Sequence, residues 1–482
     1  MSWMLLFAAC TSRFPPPADG TPGSRDTADA DTDTDTDSDT DSDTDSDTDT
    51  DAPRFVLLLT VDALSRGWLG GNARGWDTTP NLDAFFAESV VLRDVLVPRS
   101  LTEVSMATFL TGWYPRSVGV RNNTEEPWMG VYPMISERFQ GAGWHTVGLS
   151  ANYCAMVRVG MDETLCTSFA QNSGMEEVTG DQLLLDEILT AVDAREEGTP
   201  LFVWAHLMQP HDPYEVTEPS YSLFHPEPYA GTFDPLDPIK MNRVIAGEDT
   251  LSPEDLLHFQ AIYASQVRSI DDMVGQLFED LRARGVYDDA LIVFGADHGD
   301  TLFARNQYPF HGCSFYNDVF GTTWAFHRPA QLAAGAEIEG WVSSVNIAPT
   351  LYALAGETWE GEAEGVSRAG ELATGTAWEA DAFFERTPET AGIVSGNLKY
   401  VLNPEGDYNA CIPYEDIDPV FPGAPVEIYD LATDPGELVN LADDPPPAAA
   451  VLRERLCDFV LAQQWSLDGN DARNVVVQEC LR

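Results

Sequence analysis

The most constraining feature of the chain is a repeated pattern in which a continuous apolar run ends in a side chain that can bind metal. The runs are residues 54–62 (RFVLLLTVD), 201–206 (LFVWAH) and 290–297 (ALIVFGAD), and His298 directly follows the last of them. Continuous apolar runs, rather than alternating ones, are typical of strands buried on both faces, as in a parallel sheet. The pattern therefore predicts a buried parallel sheet whose strand ends carry two Asp and two His side chains.

Helical stretches separate these runs. Residues 258–284 place apolar side chains mostly at three- and four-residue steps, and Gly285 follows as a stop signal. Strands that alternate with helices indicate an α/β fold, and in open α/β sheets ligands bind beyond the carboxyl ends of the strands. We therefore expect Asp62, His206, Asp297 and His298 to gather in one site.

The chemistry of this set suits a divalent cation. Asp62 and Asp297 offer hard carboxylate oxygens, and His298 offers an imidazole nitrogen. A buried Asp at a strand end can instead cap a neighbouring helix, but several such ends with metal-binding side chains make that alternative weaker. The set predicts one divalent cation, with Ca, Mg, Mn and Zn all open.

The charge of the chain restricts its partners. The 482 residues include 26 basic and 79 acidic side chains, for a net charge of -53. Residues 1–53 contribute -12 of this, and residues 54–482 contribute -41. Such a surface excludes general binding of nucleic acid, and it excludes purely electrostatic binding to an anionic membrane. An anionic substrate would have to be attracted locally, by a metal, a helix N-terminus or the candidate residues Arg66, Arg99 and Arg121.

The N-terminus resembles a bacterial lipoprotein signal. Residues 1–10 (MSWMLLFAAC) form a short apolar run that ends in small residues and Cys10, although the usual basic n-region is missing. The Asp-Thr/Asp-Ser repeat of residues 26–51 has no large apolar side chain to bury, so it predicts a disordered spacer. Calcium binding by the repeat is disfavoured because the turn Gly and the closing Glu are absent. We predict an anchor (residues 1–25), a linker (residues 26–53) and a secreted protein held by lipid in the bacterial envelope.

Six cysteines remain after Cys10, an even number that suggests disulfides outside the cytosol. Spacing favours the pairs Cys154–Cys166 and Cys457–Cys480, which leaves Cys313 with Cys411. Spacing alone does not fix the connectivity.

A candidate nucleophile lies in residues 100–112 (SLTEVSMATFLTG). Thr102 is a good helix N-cap and Glu103 stands in the first turn, so the Thr102 hydroxyl would face the positive end of a helix. A purely capping role is the alternative. His211 and His311 stand on loops marked by Pro and Gly. They are interpreted as substrate ligands or, with a carboxylate, as a second zinc-like site.

Six ordered segments resemble the sulfatase family of the alkaline phosphatase superfamily, over nearly all of residues 54–465. They are LLLTVDALSRGWLGGNARGWDTTPNLDAFFAES, SLTEVSMATFLTGWYPRSVGV, FVWAHLMQPHDPY, VRSIDDMVGQLFEDLRARGVYDDALIVFGADHGD, YPFHG and VEIYDLATDPGELVNLAD. The resemblance implies an alkaline-phosphatase-like α/β fold: a mostly parallel central sheet flanked by helices (residues 54–382) and a small C-terminal α+β subdomain (residues 383–482).

The resemblance also assigns roles to single residues. It makes Asp62, Asp297 and His298 metal ligands and Thr102 the metal-bound nucleophile. His211 and His311 become catalytic residues at the substrate oxyanion or the leaving group. His206, Asn152 and Arg99 are the candidate substrate-binding residues.

The chain departs from the family pattern at its nucleophile. Family sulfatases oxidise a Cys or Ser in a C/S-x-P-S-R segment to formylglycine, whereas here the corresponding residues are Thr102, Val104, Ser105 and Met106. Oxidation of Thr would give a ketone, which does not readily form the required hydrate. The second carboxylate of the usual Asp-Asp pair is replaced by Ala63, and the segment that normally holds a catalytic Lys has none. Thr nucleophiles belong to relatives that act on phosphodiesters.

The sequence therefore predicts a metal-dependent hydrolase or transferase that acts on a sulfate or phosphate ester, of phosphodiester type, through Thr102 and a covalent intermediate. The substrate would be a small or cell-surface anionic ester, with membrane contact only through the lipid anchor. Two alternatives stay open: a formylglycine sulfatase that uses Ser100 or Ser105, and a catalytically inactive surface-binding module on the same fold.

Overall fold

The structure is a computed structural model. It describes residues 52–70, 75–120, 123, 132–152, 160–167, 180–304, 309–312, 314–378, 380–386, 389–406, 408–409, 420–421, 423–462 and 475–482. Residues 52–482 belong to one compact unit. The predicted anchor, the linker up to residue 51 and Arg121 lie outside the described residues. The predictions for them stay predictions.

A large mixed sheet forms the centre of this unit. Its strands, within the described residues, are β1 (Phe55–Val61), β2 (Val90–Leu96), β3 (His145–Ser150), β4 (Glu163–Cys166), β5 (Leu201–Leu207), β6 (Leu291–Ala296), β7 (Gly321–His327), β8 (Ala336–Ile338) and β9 (Val342–Ser343). The strand order is β4-β3-β5-β1-β6-β7-β2-β8, with β9 beside β2. Strands β4, β3, β5, β1 and β6 run parallel, and β7 is antiparallel to both of its neighbours. The predicted α/β class with a mostly parallel sheet is confirmed.

The three apolar runs form adjacent strands at the middle of this sheet. All residues of β1, β5 and β6 are buried, because helices cover both faces. In the parallel register Val61 pairs with both Leu207 and Ala296. The residues that follow β1 and β6, Asp62 and Asp297, therefore meet at the same edge of the sheet.

Helices flank the sheet on both faces. In chain order they are α1 (Pro80–Ala87), α2 (Thr102–Thr111), α3 (Pro115–Val118), α4 (Ile135–Gly141), α5 (Gly180–Ala194), α6 (Ser220–Phe224), α7 (Pro238–Ile245), α8 (Pro253–Ala283), α9 (Asn317–Phe320), α10 (Ile347–Leu354) and α11 (Ala369–Thr374). The predicted helix at residues 258–284 is confirmed as α8, which begins earlier. Ser252 and Asp255 form a capping box there, and Pro253 occupies the first turn.

The prediction that Thr102 is an N-cap is wrong by one residue. Helix α2 begins at Thr102, and Leu101 occupies the cap position without any side-chain bond. Since Thr102 is not the cap residue, its hydroxyl does not bond to the N–H groups of the first turn and is available for other contacts.

A separate antiparallel sheet follows the main one along the chain. Its strands are β10 (Ala382–Arg386), β11 (Thr390–Ser395), β12 (Leu398–Leu402) and, after the short pair β13 (Tyr408–Asn409) and β14 (Val420–Phe421), β15 (Val426–Asp430). Helices α12 (Ala448–Ala462) and α13 (Val475–Cys480) close this region, and α12 packs on β11 and β12. The small C-terminal α+β sheet region predicted from the resemblance is confirmed.

Two buried contacts hold the C-terminal region together and against the main sheet. The Cys457–Cys480 disulfide, predicted from spacing, joins α12 to α13. Lys399 on β12 is fully buried and donates to Glu437 at 2.7 Å and to Asn317 of α9 at 3.0 Å. Cys166 is disulfide-bonded, whereas Cys154, Cys313 and Cys411 lie outside the described residues.

Among the helices that the structure describes, none is long and apolar enough to cross a membrane.

The buried Lys399–Glu437 pair leads to a stability prediction. We expect Lys399→Met to lower the free energy of unfolding by about 3–5 kcal/mol, because it leaves the Glu437 carboxylate buried without its cation. Urea unfolding followed by tryptophan fluorescence measures the change.

The matched control is Arg243→Met, since Arg243 forms solvent-exposed pairs with Glu248 and Asp249. It should leave the urea midpoint unchanged, because exposed pairs contribute little. Equal midpoints for the two variants would contradict the assignment of Lys399 as an anchor.

Candidate active site

Asp62, Asp297 and His298 form one buried cluster beyond the ends of β1 and β6. One ligand atom from each residue lies within 4.8 Å of the others, and all three side chains are fully buried. No other group of three or more His, Cys, Asp or Glu side chains with this geometry occurs in the described part of the chain. The second, zinc-like site around His211 and His311 is therefore not formed among these residues.

Each carboxylate of the cluster has one oxygen fixed by hydrogen bonds and one oxygen without a partner. Asp297 Oδ1 accepts from the backbone N–H groups of Ala63 at 3.1 Å and His298 at 2.8 Å. Asp62 Oδ2 accepts from Asn152 Nδ2 at 2.7 Å. Asp62 Oδ1 and Asp297 Oδ2 are buried and have no hydrogen-bond partner. Two orphaned carboxylate oxygens that face each other are costly unless a cation sits between them, so the donor set fits a divalent metal.

His298 completes this set. Its Nε2 lies 3.4 Å from Asp297 Oδ2 and 3.8 Å from Asp62 Oδ1. Its Nδ1 lies 3.1 Å from the carbonyl oxygen of Gly299. Donation from Nδ1–H to that carbonyl fixes the tautomer and leaves the Nε2 lone pair free, as in metal-binding histidines.

Thr102 is brought to the same point by helix α2. Its Oγ1 lies 3.2 Å from His298 Nε2, and the residue is 1% exposed. The helix is fixed to the cluster because Ser105 Oγ donates to the carbonyl oxygen of Asp297 at 2.6 Å. The Thr102 hydroxyl therefore lies at the helix start and beside the acidic cluster, as the sequence predicts.

The electrostatics of the cluster also favour a cation. Burial raises the pKa of Asp297 well above its usual value, and the neighbouring charge of Asp62 raises it further. Burial also acts to raise the pKa of Asp62, but His211, His206 and His298 outweigh it and the pKa is lowered. Two carboxylates this close in a dry site resist being charged together, and a bound cation removes that conflict.

His311 is held beside the cluster by a hydrogen-bonded chain. Its Nδ1 lies 2.8 Å from Asp300 Oδ1, and Tyr214 donates to Asp300 Oδ2 at 2.8 Å. The His311 ring centroid is 4.1 Å from that of His298. Sequence reasoning missed Asp300 and Tyr214, although both stand in segments that carry the family resemblance, GADHGD and QPHDPY.

His211 lies on the other side of His311, with 5.2 Å between ring centroids. Its Nδ1 is 2.8 Å from the carbonyl oxygen of Asp212. Burial lowers the pKa of His211, but Asp212, Asp62 and Asp300 overcome this and raise it to about 10. Burial and the charge of His211 lower the pKa of His311 to about 4. At neutral pH the two rings therefore differ in protonation state: His211 is protonated and His311 is neutral.

Asn152 and His206 both contact Asp62 of the buried cluster. Asn152 donates to Asp62 and so orients it, and His206 Nε2 is 3.4 Å from Asp62 Oδ2. His206 is fully buried, and its Nδ1 lies 2.9 Å from Thr60 Oγ1. Their described contacts are those of residues that position Asp62.

Ala63 occupies the place where the resemblance expects a second carboxylate. Its φ of 55° lies in the left-handed region, which is uncommon for residues other than Gly. Tyr263 donates to its carbonyl oxygen at 2.7 Å and accepts from the N–H of Ser65 at 2.9 Å. This conformation lets the Ala63 N–H donate to Asp297 Oδ1. Where the resemblance expects a second carboxylate, this chain therefore has a backbone donor.

The three candidate Arg residues differ in position. Arg66 pairs with Asp94, and its guanidinium lies 5.0 Å from the centre of the Trp341 ring, so it is engaged away from the cluster. Arg121 lies outside the described residues. Arg99 is 5% exposed and stands three residues before Thr102.

The fold and the site together define the class of protein. The fold is alkaline-phosphatase-like, and a buried acid–histidine cluster lies at the carboxyl ends of its parallel strands, facing a hydroxyl at a helix start. The chain belongs to the sulfatase family: the family model described as "Sulfatase" matches residues 54–357. It is an enzyme of that family.

Curated relatives support this assignment over most of the chain. Choline-sulfatase of Rhizobium meliloti (strain 1021) is 23% identical, over 89% of this chain and 91% of the relative. The multifunctional alkaline phosphatase superfamily protein PehA of Trinickia caryophylli is 24% identical, over 57% of this chain and 58% of its own length.

Solved structures share the fold. BT4656, solved in complex with its substrate D-glucosamine-2-N,6-O-disulfate, has a TM-score of 0.68 at 17% identity, covering 87% of this chain and 100% of its own. The phosphonate monoester hydrolase of Agrobacterium radiobacter has a TM-score of 0.64 at 19% identity, covering 86% of this chain and 96% of its own.

The acidic cluster leads to a metal-binding prediction. A divalent cation should stabilise the protein, by about 2.7 kcal/mol when it is present at about 100 times its dissociation constant. Asp297→Asn should lose this gain. It should also be more stable than the metal-free wild type, because it removes the repulsion between Asp297 and Asp62. Differential scanning fluorimetry with Ca, Mg, Mn and Zn measures both effects.

Asp272→Asn is the matched control, since Asp272 is a half-exposed carboxylate on α8 that pairs with Arg268. It should keep the metal response of the wild type. No thermal shift with any of the four cations would refute the metal site.

Proposed function

We propose that this enzyme hydrolyses an ester whose reacting sulfate or phosphate-type group carries one negative charge. Thr102 is the nucleophile, and a covalent ester of Thr102 is the intermediate. The observation that carries the proposal is the convergence of four atoms: Thr102 Oγ1, His298 Nε2 and the orphaned oxygens of Asp62 and Asp297. This is the donor set that a metal-activated hydroxyl requires.

The charge of the substrate follows from the relatives and from the site. A sulfate monoester, a phosphonate monoester and a phosphodiester each carry one negative charge on the tetrahedral group. The names choline-sulfatase and phosphonate monoester hydrolase describe two of these three classes. A site with few positive groups in a protein of net charge -53 favours such a monoanion over a phosphomonoester dianion.

Asp62, Asp297, His298 and Thr102 are proposed to hold the cation. A divalent cation held there would lower the pKa of a coordinated hydroxyl and polarise the ester oxygens. The Thr102 hydroxyl would release its proton to water, and Thr102 Oγ1 then forms a bond to sulfur or phosphorus while the bond to the leaving oxygen breaks. His211, which is protonated at neutral pH, donates its proton to that leaving oxygen.

Release of the product reverses these roles. Water attacks the sulfur or phosphorus of the Thr102 ester, the bond from that atom to Thr102 Oγ1 breaks, and the neutral His211 accepts a proton from the water. Asp300 and Tyr214 orient His311, whose neutral ring offers Nε2 to a substrate oxygen. An acceptor alcohol in place of water would make the same steps a transfer reaction.

The neighbouring serines fit a nucleophilic role less well. Ser105 Oγ donates to the Asp297 carbonyl, which uses its hydroxyl for structure. Ser100 Oγ is buried without a partner. Family membership and the complete cluster favour an enzyme over an inactive binding module, because a binding module has no need of a buried metal site with a hydroxyl beside it.

The first prediction of this proposal concerns Thr102. Thr102→Ala should lower kcat by about 1000-fold or more, because it removes the attacking oxygen but leaves Asp62, Asp297 and His298 to hold the cation. The substrates are bis(4-nitrophenyl) phosphate, 4-nitrophenyl phenylphosphonate, 4-nitrophenyl sulfate and 4-nitrophenyl phosphate, and the phosphomonoester should be the poorest of the four.

Ser100→Ala is the matched control and should keep wild-type activity, since the Ser100 hydroxyl makes no bond. Mass spectrometry of the active-site peptide after a rapid quench should find the added group on Thr102. An aldehyde at Ser100 or Ser105 would establish formylglycine chemistry instead. Absence of turnover with all four esters, with metal binding intact, would establish the binding module.

A second prediction concerns His211. His211→Gln should lower kcat/KM about 100-fold for phenyl esters and only a few-fold for 4-nitrophenyl esters, because nitrophenolate leaves without a proton. The measurement compares kcat/KM for the phenyl ester and the 4-nitrophenyl ester of the same sulfate or phosphate-type group.

His225→Gln is the control, since His225 directly follows α6 and its ring contacts the carbonyl oxygen of Glu227. It should not change the dependence on the leaving group. An equal loss on both esters for His211→Gln would show that His211 binds the substrate but does not protonate the leaving oxygen.

A further inference from the structure

Arg99 is a buried cation without a partner. Its Nε and Nη1 atoms are inaccessible and make no hydrogen bond, and the residue is 5% exposed. Two other buried cations of the described region have an acidic partner: Arg116 pairs with Glu385, and Lys399 pairs with Glu437. Arg99 differs from both, because no carboxylate neutralises it.

Such an arrangement is unfavourable in a folded protein. A guanidinium has five N–H donors, and burial removes their water without replacement. Burial and the nearby charge of Arg386 lower the pKa of Arg99 to about 9, which still leaves the side chain charged at neutral pH. A cost of this kind is retained at sites where a ligand supplies the missing partner.

The neighbours of Arg99 define where that ligand would lie. Pro98, the preceding residue, accepts from the N–H of Glu385 on β10 at 2.8 Å. The charged groups that act most on Arg99 are Arg386, Glu389 and Glu385, all at the β10–β11 hairpin. The charge of Arg99 also acts on His311. Arg99 therefore lies close to both His311 and the β10–β11 hairpin.

The acids of the hairpin leave this guanidinium unpaired. Glu385 is committed to Arg116, and no bond joins Glu389 to Arg99 among the described residues. A buried guanidinium without an ion-pair partner is a local positive charge in an otherwise acidic protein. A planar guanidinium is well suited to bind an oxyanion through two N–H groups.

We infer that Arg99 binds a second anionic group of the substrate, an oxyanion such as a carboxylate or a sulfate, separate from the ester that Thr102 attacks. This inference rests on the proposed function and adds a substrate class to it: esters with two negative groups. The same charge disfavours a substrate whose remainder is a cation, such as the quaternary ammonium of choline sulfate. This enzyme would therefore differ in specificity from the choline-sulfatase that it resembles in sequence.

The test compares aryl sulfates that differ in the second group, together with an alkyl sulfate whose remainder is a cation. The probes are 4-nitrophenyl sulfate, its 2- and 3-carboxylate derivatives, its 3-sulfonate derivative and choline sulfate. For the wild type we expect kcat/KM to be higher for at least one dianionic aryl ester than for 4-nitrophenyl sulfate, and lowest for choline sulfate.

Arg99→Met should remove this preference. It should lower kcat/KM about 10- to 100-fold for the preferred dianionic ester, mostly through KM, as expected for the loss of a charge-assisted hydrogen bond. For 4-nitrophenyl sulfate the change should stay within about 3-fold, since a group that does not contact the reacting ester should not affect it. Arg99→Lys should keep part of the preference because it keeps the charge.

The melting temperature separates a binding role from a structural one. Arg99→Met should not lower the melting temperature of the ligand-free protein, because no partner is lost. Arg116→Met is the matched control and should lower it clearly, because it removes the cation that pairs with the buried Glu385 carboxylate. A lower melting temperature for Arg99→Met, or an equal loss of activity on all aryl esters, would overturn the inference.

The outcome also distinguishes this inference from the proposed function. Turnover of 4-nitrophenyl sulfate by the wild type without preference for any dianionic derivative would refute the second anion site alone. Absence of turnover of these sulfate esters and also of bis(4-nitrophenyl) phosphate and 4-nitrophenyl phenylphosphonate would refute the proposed function. Unchanged binding of the 3-carboxylate ester to Arg99→Met, measured by calorimetry, would then refute the role of Arg99 separately.

Discussion

The site depends on the parallel register of β1 and β6. Because Val61 and Ala296 are paired, the next residues, Asp62 and Asp297, leave the sheet at the same point, with buried and facing carboxylates. Two like charges in a dry site are unfavourable. Much of the surrounding structure reduces that cost: Asn152 and His206 contact Asp62, and two backbone N–H groups contact Asp297. The free oxygen on each carboxylate is the part that only a cation can satisfy.

The strand-end pattern makes this centre predictable from the amino-acid sequence. Apolar runs buried on both faces identify parallel strands, and parallel strands bring their final residues together, so the pattern alone groups Asp62, Asp297 and His298. The pattern does not identify Asp300 and Tyr214 as site residues. They act through His311, and only the folded loops show which of many acids and tyrosines in this acidic chain lie within hydrogen-bond distance of its ring.

Local backbone geometry accounts for the other differences. Helix signals locate a terminus only to within a residue or so, and they place Thr102 at the cap although α2 starts there. The left-handed conformation of Ala63 has no sequence signal, since Ala rarely adopts it. It is imposed by tertiary contacts to Tyr263 and Asp297, both distant in sequence. The sequence can therefore show that a carboxylate is missing at this position, but not that a backbone donor replaces it.

The proposed Thr102 nucleophile requires another way of releasing the product than formylglycine does. Met106, in the place of the Arg of the sulfatase motif, is fully buried with Phe109 and Leu110 in the apolar cluster behind α2, so it brings no charge to Thr102. A formylglycine hydrate has a second hydroxyl that expels the sulfate by collapsing to the aldehyde, whereas a Thr102 ester has none. Release from the proposed Thr102 ester would therefore need an external water and a base on the side from which the leaving group has departed. His211, with a pKa raised to about 10, is a strong base once it has given up its proton, so one residue can serve both half-reactions.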